Sequence, residues 1–252
     1  MRLEKYAIVI TVIMTVFGAT IGTTHGAPKS EEKKDWNIPF LGIMKVPVQL
    51  EIVDGKDVIV EIIKFSEKIN QSHPVKDTIS KVQAPSPADI AEAFANNNIG
   101  VYQLALKNNG SYNLAVVFAG KLPENYNATG LTFYDKLKNT NQQQQEEIHK
   151  LILKGIDDIY TKEPDLQDMF QLEILEFYPF EEMENKNAQI VSVGGSVAAR
   201  TFKLIQPLAL KIYLINKDSD IYVVGVLNSG PDRKLWDNMT KEMLRTARLN
   251  GL

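Results

Sequence analysis

The clearest alternation of apolar and polar positions lies in the last third of the chain, from Gln189 to Leu249. Leu208, Leu210, Ile212 and Leu214 alternate with Ala209, Lys211 and Tyr213, the period of a half-buried strand. Asn216 to Asp220 is polar and predicts a turn, and Ile221 to Val226 then runs apolar, as a more central strand does. Ser229-Gly230-Pro231-Asp232 carries helix-start chemistry: a candidate cap, an early proline, and an acid three positions after the serine. Trp236, Met239, Met243 and Ala247 follow on one helical face, with Lys241 opposite. The pattern predicts strands closed over by one amphipathic helix.

Upstream, Val46 to Val53 alternates as a single strand, and Asp54-Gly55 offers hairpin-turn chemistry. Asp57 to Phe65 reads as the return strand because it is rich in Val and Ile, although Val58, Ile62, Phe65 and Ile69 also fit a helical period. Asn70 to Pro85 reads as a connection, and Ser86-Pro87-Ala88-Asp89 as the start of a short helix ended by Asn96-Asn97-Asn98. Val101 to Lys107 and Tyr112 to Ala119 flank Asn108-Asn109-Gly110, a second hairpin. Lys121 to Tyr134, with Pro123 and Gly130, reads as irregular. A long helix is predicted after Asn139-Thr140-Asn141, with Gln142 to Gln145 as its polar first turn or lead-in. Its stripe is Ile148, Leu151, Ile152, Ile156 and Ile159, and Pro164 bounds it. Glu173 to Phe180 reads as a strand, and another rises through Ile190, Val191 and Val193. Gly194-Gly195 interrupts it by a turn or bulge, and Ala198 to Ile205 resumes it until Pro207.

The amino end adds a compartment to this picture. Met1 to Gly26 has the three parts of a secretory signal: Arg2 and Lys5, an uncharged run from Ala7 to Ile21, and small residues before Ala27. An uncleaved anchor is the alternative reading, and only that reading would tie the chain to a membrane. Residues 27–35 are charged and read as a flexible leader, followed by a single domain over 36–252. The chain has no cysteine, so in an oxidising compartment its fold rests on the core alone. Without Arg2, Lys5 and Glu4 the charged residues are 26 basic against 30 acidic, a formal −4. That mild acidity gives no support to nucleic-acid binding, which shows a basic stripe.

Candidate chemistry is sparse. Gly194-Gly195-Ser196-Val197-Ala198 resembles a nucleophile elbow, but an elbow needs a helix after the serine and a histidine later in the chain. The residues after Ser196 read as strand, and no histidine follows it. Ser30-Glu31-Glu32-Lys33 has serine–x–x–lysine spacing, but it lies in the leader. His73 and His149 lack a second ligand at metal spacing, and His25 belongs to the signal. Glu173, Glu176, Glu181, Glu182 and Glu184 form the densest acidic group. Asn216, Asp218 and Asp220 alternate like calcium-loop ligands without the glycine and the closing glutamate of such a loop. Asn70, Asn109, Asn127 and Asn238 open sequons. No residue is assigned a catalytic, cofactor-binding or metal-binding role.

The strand–turn–strand–helix ending from Leu208 to Leu249, with Trp236 and Met239 in the helix, resembles the Mog1/PsbP-like α-β-α sandwich proteins, as does the opening strand Val46 to Val53. The resemblance implies an α+β fold, a mainly antiparallel sheet with helices packed on it. It carries over no site residues. Members of that fold mostly act as binding or assembly factors, which is analogy. The expectation is an exported, secreted or cell-envelope protein without catalytic activity, partnered by another protein or a small ligand. The alternative is a hydrolase or metal-dependent enzyme.

Overall fold

The computed structural model describes residues 32–39, 41–55, 99–108, 111–122, 124–138, 140–162, 170–186, 188–201 and 204–249. The expected signal segment, Ser30, His73, the expected return strand 57–65 and the expected helix after Ser86 lie outside them. The described residues form ten strands and three α-helices, and every strand pairing is antiparallel. The α+β class is therefore as the pattern predicts.

Seven strands make the main sheet: β3 (Leu50–Asp54), β4 (Ile99–Asn108), β5 (Ser111–Lys121), β6 (Phe170–Asn185), β7 (Ala188–Thr201), β8 (Leu204–Lys217) and β9 (Asp220–Ser229). Their order is β3-β4-β5-β9-β8-β7-β6. A small sheet, in the order β1-β2-β10, joins β1 (Lys33–Ile38), β2 (Gly42–Pro47) and β10 (Arg248–Leu249).

Both faces of the main sheet are covered. On one, α1 (Glu124–Lys138) and α2 (Gln142–Lys162) bury Tyr134, Leu137 and Ile148 against Val191, Val193, Leu214 and Ile221. On the other, α3 (Arg233–Thr246) and the small sheet bury Trp236, Met243 and Leu244 with Trp36, Tyr213, Ile215, Val224 and Val226. This layering explains β8: its alternate rows are both inside, and Tyr213 is fully buried on what reads as the polar side.

Several boundaries differ from the pattern for physical reasons. The stretch 46–53 is two strands, because Pro47 has no N–H to continue a ladder and Val48 turns outward. β3 then pairs with β4, and Gly55 is helical rather than a hairpin turn. β1 begins at Lys33, so the last three residues of the expected leader are paired strand. Residues 124–134 are helix, not irregular: Leu131, Tyr134 and Leu137 make an inward stripe. At Gly130 a Cβ would crowd the Leu122 Cδ1 methyl and make only ordinary contact with Ile221. Gly194 and Gly195 do not interrupt β7; the register shifts lie in its partner β6. Pro207 does not end β8 either. There β8 pairs with β7 alone, since β9 reaches only Leu208.

Helix starts also differ in detail. Asn141 and Gln144 cap α2 reciprocally, each side-chain oxygen accepting the other's backbone N–H, at 3.0 and 2.9 Å. In α2, Ile148 is buried and Leu151 is exposed, so its stripe is narrower than predicted. Ser229 makes no capping bond; a 3₁₀ turn, Gly230–Asp232, carries Pro231 and delays α3 to Arg233.

The inward face of α3 is rotated from the predicted one. Trp236, Thr240, Met243 and Leu244 are buried, whereas Met239 is only partly so. Met243→Ala should therefore cost about 2–5 kcal/mol, the range for truncating a buried methionine. Met239→Ala should cost about half as much or less on the same grounds. Urea unfolding midpoints compare the two, and equal losses would contradict this seating of α3.

Candidate functional site

The centre of the site is a buried ammonium. Ala209, Lys211 and Tyr213 alternate onto the face of β8 that α3 covers, leaving the Lys211 side chain 10% exposed. A charge there needs partners. Glu181 Oε2 lies 2.5 Å and Asp237 Oδ1 2.7 Å from its Nζ. Lys241, one turn beyond Asp237 on α3, reaches the same two carboxylates at 2.7 and 2.8 Å. The result is a ring of two cations and two anions joining helix to sheet. Lys241 is thus engaged, not free on an outer face.

A bulge in β6 makes the ring possible. Tyr178 pairs with Gly194 and Glu181 with Ser192, so β6 uses three steps where β7 uses two. The extra residue brings both Tyr178 and Glu181 to the α3 face, which strict alternation forbids. Gly194 has its own reason here: a Cβ would meet the Leu210 carbonyl and stand 3.2 Å from the Tyr178 ring.

Protonation follows from the same contacts. Burial opposes ionisation of Glu181 and Asp237, but hydrogen bonds from Lys211 and Lys241 outweigh it and hold both carboxyls below their ordinary values. Tyr213 donates to Asp237 Oδ1 at 2.8 Å, and burial and that carboxylate push its pKa far up. Burial lowers the Lys241 pKa, yet its two carboxylate partners raise it overall.

Beside the ring, a cleft of about 360 Å³ opens between α3 and the sheet. Glu176, Tyr178, Ala209, Asn228, Arg233 and Trp236 are among its walls. The Arg233 guanidinium lies over the Tyr178 ring, 4.4 Å from its centroid, and 3.8 Å from Glu176. Asn228 and Trp236 are 4% and 0% exposed. Asn228 Oδ1 and Trp236 Nε1 have no hydrogen-bond partner among the described residues.

The sequence candidates do not converge. Ser196 sits within β7, and its hydroxyl is 2.6 Å from that of Tyr178. His149 stacks on Phe177, with centroids 3.8 Å apart and planes 5° apart, and meets Phe180 edge-on. Phe177 and Tyr178 are strand neighbours and face opposite ways, so Ser196 and His149 are separated by the sheet. The acidic group is divided too: Glu173 pairs with Arg200, while Glu181 joins the ring. Asp218 and Ser219 have φ of 52° and 67° and form a two-residue hairpin turn, and Asp220 binds Lys121 at 2.6 Å. Sequence reasoning missed Lys211 and Tyr213, which read as the polar side of a strand, and did not single out Asn228 or Asp237. The one available signal was the 237/241 acid–base pair at i, i+4.

Compared with known protein families and with curated proteins, the chain matches none.

Two outcomes test these electrostatics. Lys211→Met should lose about 1–3 kcal/mol in neutral urea unfolding, since Lys241 still serves both carboxylates. The ring's contribution should hold above about pH 4 and fall away in acid, because depressed carboxyl values favour the folded state only while ionised. His149 behaves in the opposite range. Burial lowers its pKa against a smaller opposing effect of Glu146, and its Nε2 is buried without a partner among the described residues. Its contribution is full above about pH 6.5 and declines as the unfolded state takes up protons below that value. His149→Phe, which keeps the stacking, should flatten the decline in unfolding midpoint between about pH 7.5 and 5.5. An unchanged slope would remove His149 as its source.

Proposed function

We propose that this chain is an exported, non-catalytic binding or assembly protein, secreted or held in the cell envelope, that takes a protein or a small ligand. The observation that carries the reading is the composition of the cleft. Its central charges neutralise one another, and two buried polar atoms in its walls lack partners among the described residues. Among the described residues its lining has no serine, cysteine or histidine, and the Thr240 hydroxyl is spent on the Trp236 carbonyl at 2.7 Å. Its Lys211 amine is held in ion pairs and its Tyr213 hydroxyl is kept un-ionised by burial and by Asp237, so neither is set up as a nucleophile. Resemblance to the Mog1/PsbP-like proteins points the same way by analogy.

Export rests on Met1 to Gly26, and the mild net acidity favours a partner other than nucleic acid. Among the described residues no helix is long and apolar enough to cross a membrane.

Two measurements test this reading together. Sequencing the exported protein should give a start at or near Ala27; intact membrane-bound chain starting at Met1 would replace export by anchoring. Fluorophosphonate should leave the folded protein unlabelled, in wild type and in Ser196→Ala alike. Labelling that disappears with Ser196 would make the chain a hydrolase.

A further inference from the structure

We infer that the cleft between α3 and the sheet binds a small monoanionic ligand carrying both a carboxylate and an amide, the chemistry of an acylated amino acid or the free carboxyl end of a peptide. This deepens the binding reading and rests on it.

Charge comes first. Lys211 and Lys241 are balanced by Glu181 and Asp237. The lining itself carries Lys211, Arg233 and Lys234 against Glu176, Glu181 and Asp237, and Lys241, which closes the ring from outside the lining, leaves one positive charge in excess. Arg233 is held over Tyr178, and its contact with Glu176 is a loose 3.8 Å, so the guanidinium can accept a second carboxylate. Arg233 and Lys234 open α3, where the backbone dipole adds to their field. Asp232, which precedes them, is hydrogen-bonded by Asn113 at 2.8 Å.

The inner wall specifies the rest of the ligand. Trp236 Nε1 is a donor and Asn228 Oδ1 an acceptor, both buried and without partners among the described residues. Buried polar atoms are seldom left so. One group that supplies both an acceptor and a donor is an amide, whose carbonyl suits the indole and whose N–H suits Asn228. The volume of about 360 Å³ holds a ligand of a few residues and excludes a folded partner.

The test titrates the intact mature protein with N-acetyldialanine, its carboxyl-terminal amide, and acetate, following the Trp236 indole N–H resonance by NMR. The chain has two tryptophans, and Trp36→Phe assigns the signals. The acid should shift the Trp236 resonance saturably, with affinity at least about tenfold above the neutral amide and above acetate, as one charge-assisted contact warrants. Arg233→Gln, at the exposed mouth, should abolish the preference for acid over amide. Asn228→Leu should weaken both peptides alike. A longer peptide with the same terminus separates the sources: retained affinity indicates a chain end, and lost affinity a free small molecule. No shift of Trp236 with any ligand, equal binding of acetate, or an unaltered preference in Arg233→Gln would overturn the inference. None of these results would touch the non-catalytic reading, which falls only on covalent labelling at Ser196.

Discussion

A lysine amine facing the inside of the protein dictates much of what surrounds it. Lys211 sits on a row of β8 that a helix must cover, because the same row carries Tyr213 and the neighbouring strands carry Val224 and Val226. Once covered, the amine requires carboxylates from both the strand beside it and the helix above it. Glu181 comes within reach only through the extra residue in β6, and Asp237 only if α3 starts where it does. The bulge, the helix register and the buried phenol of Tyr213 are parts of one solution. Such a ring does more for uniqueness of docking than for net stability, since desolvation of its charges offsets much of their attraction.

Elsewhere α3 is fastened at its two ends. Before it, Asn113 on β5 donates to Asp232. At its far end, the Asn185 amide donates to the Leu244 and Ala247 carbonyls at 2.7 and 2.9 Å, which satisfies acceptors that a helix end leaves free. Lys217 reaches the Leu249 carbonyl at 3.0 Å just beyond. With both ends and the middle tied, the cleft beside the ring is a gap under a fixed helix, suited to a ligand that meets a preformed wall.

Where sequence pattern succeeded, it did so because period and packing agreed. The β8–β9 hairpin and the closing helix follow from alternation, turn chemistry and helical spacing in Leu208 to Ala247. Where it failed, a local breaker was overruled by tertiary contact. Gly130 and Pro123 argued against a helix that Tyr134 and Leu137 hold in place, and Gly194 and Gly195 argued for an interruption where the sheet needed thin residues. The site was harder to read for a more general reason. A polar residue in an alternating strand gives the same signal whether it faces water or the underside of a helix, so Lys211 looked like surface. Trp236 read correctly as core, but the fate of its indole N–H depends on atoms from other strands.

The bulges of β6 have a further consequence, for life at high concentration. Among the described residues β6 ends the strand order of the main sheet, and its sixteen residues make a template on which another chain could add itself. Two breaks in register leave its outer hydrogen-bonding row out of step with any regular strand. Near its start, the Leu172 N–H is already taken by the Tyr160 hydroxyl of α2 at 2.7 Å. The irregularity that delivers Glu181 to Lys211 therefore also spoils this border for sticking to copies of itself, a protection that a cysteine-free protein without covalent cross-links has reason to keep.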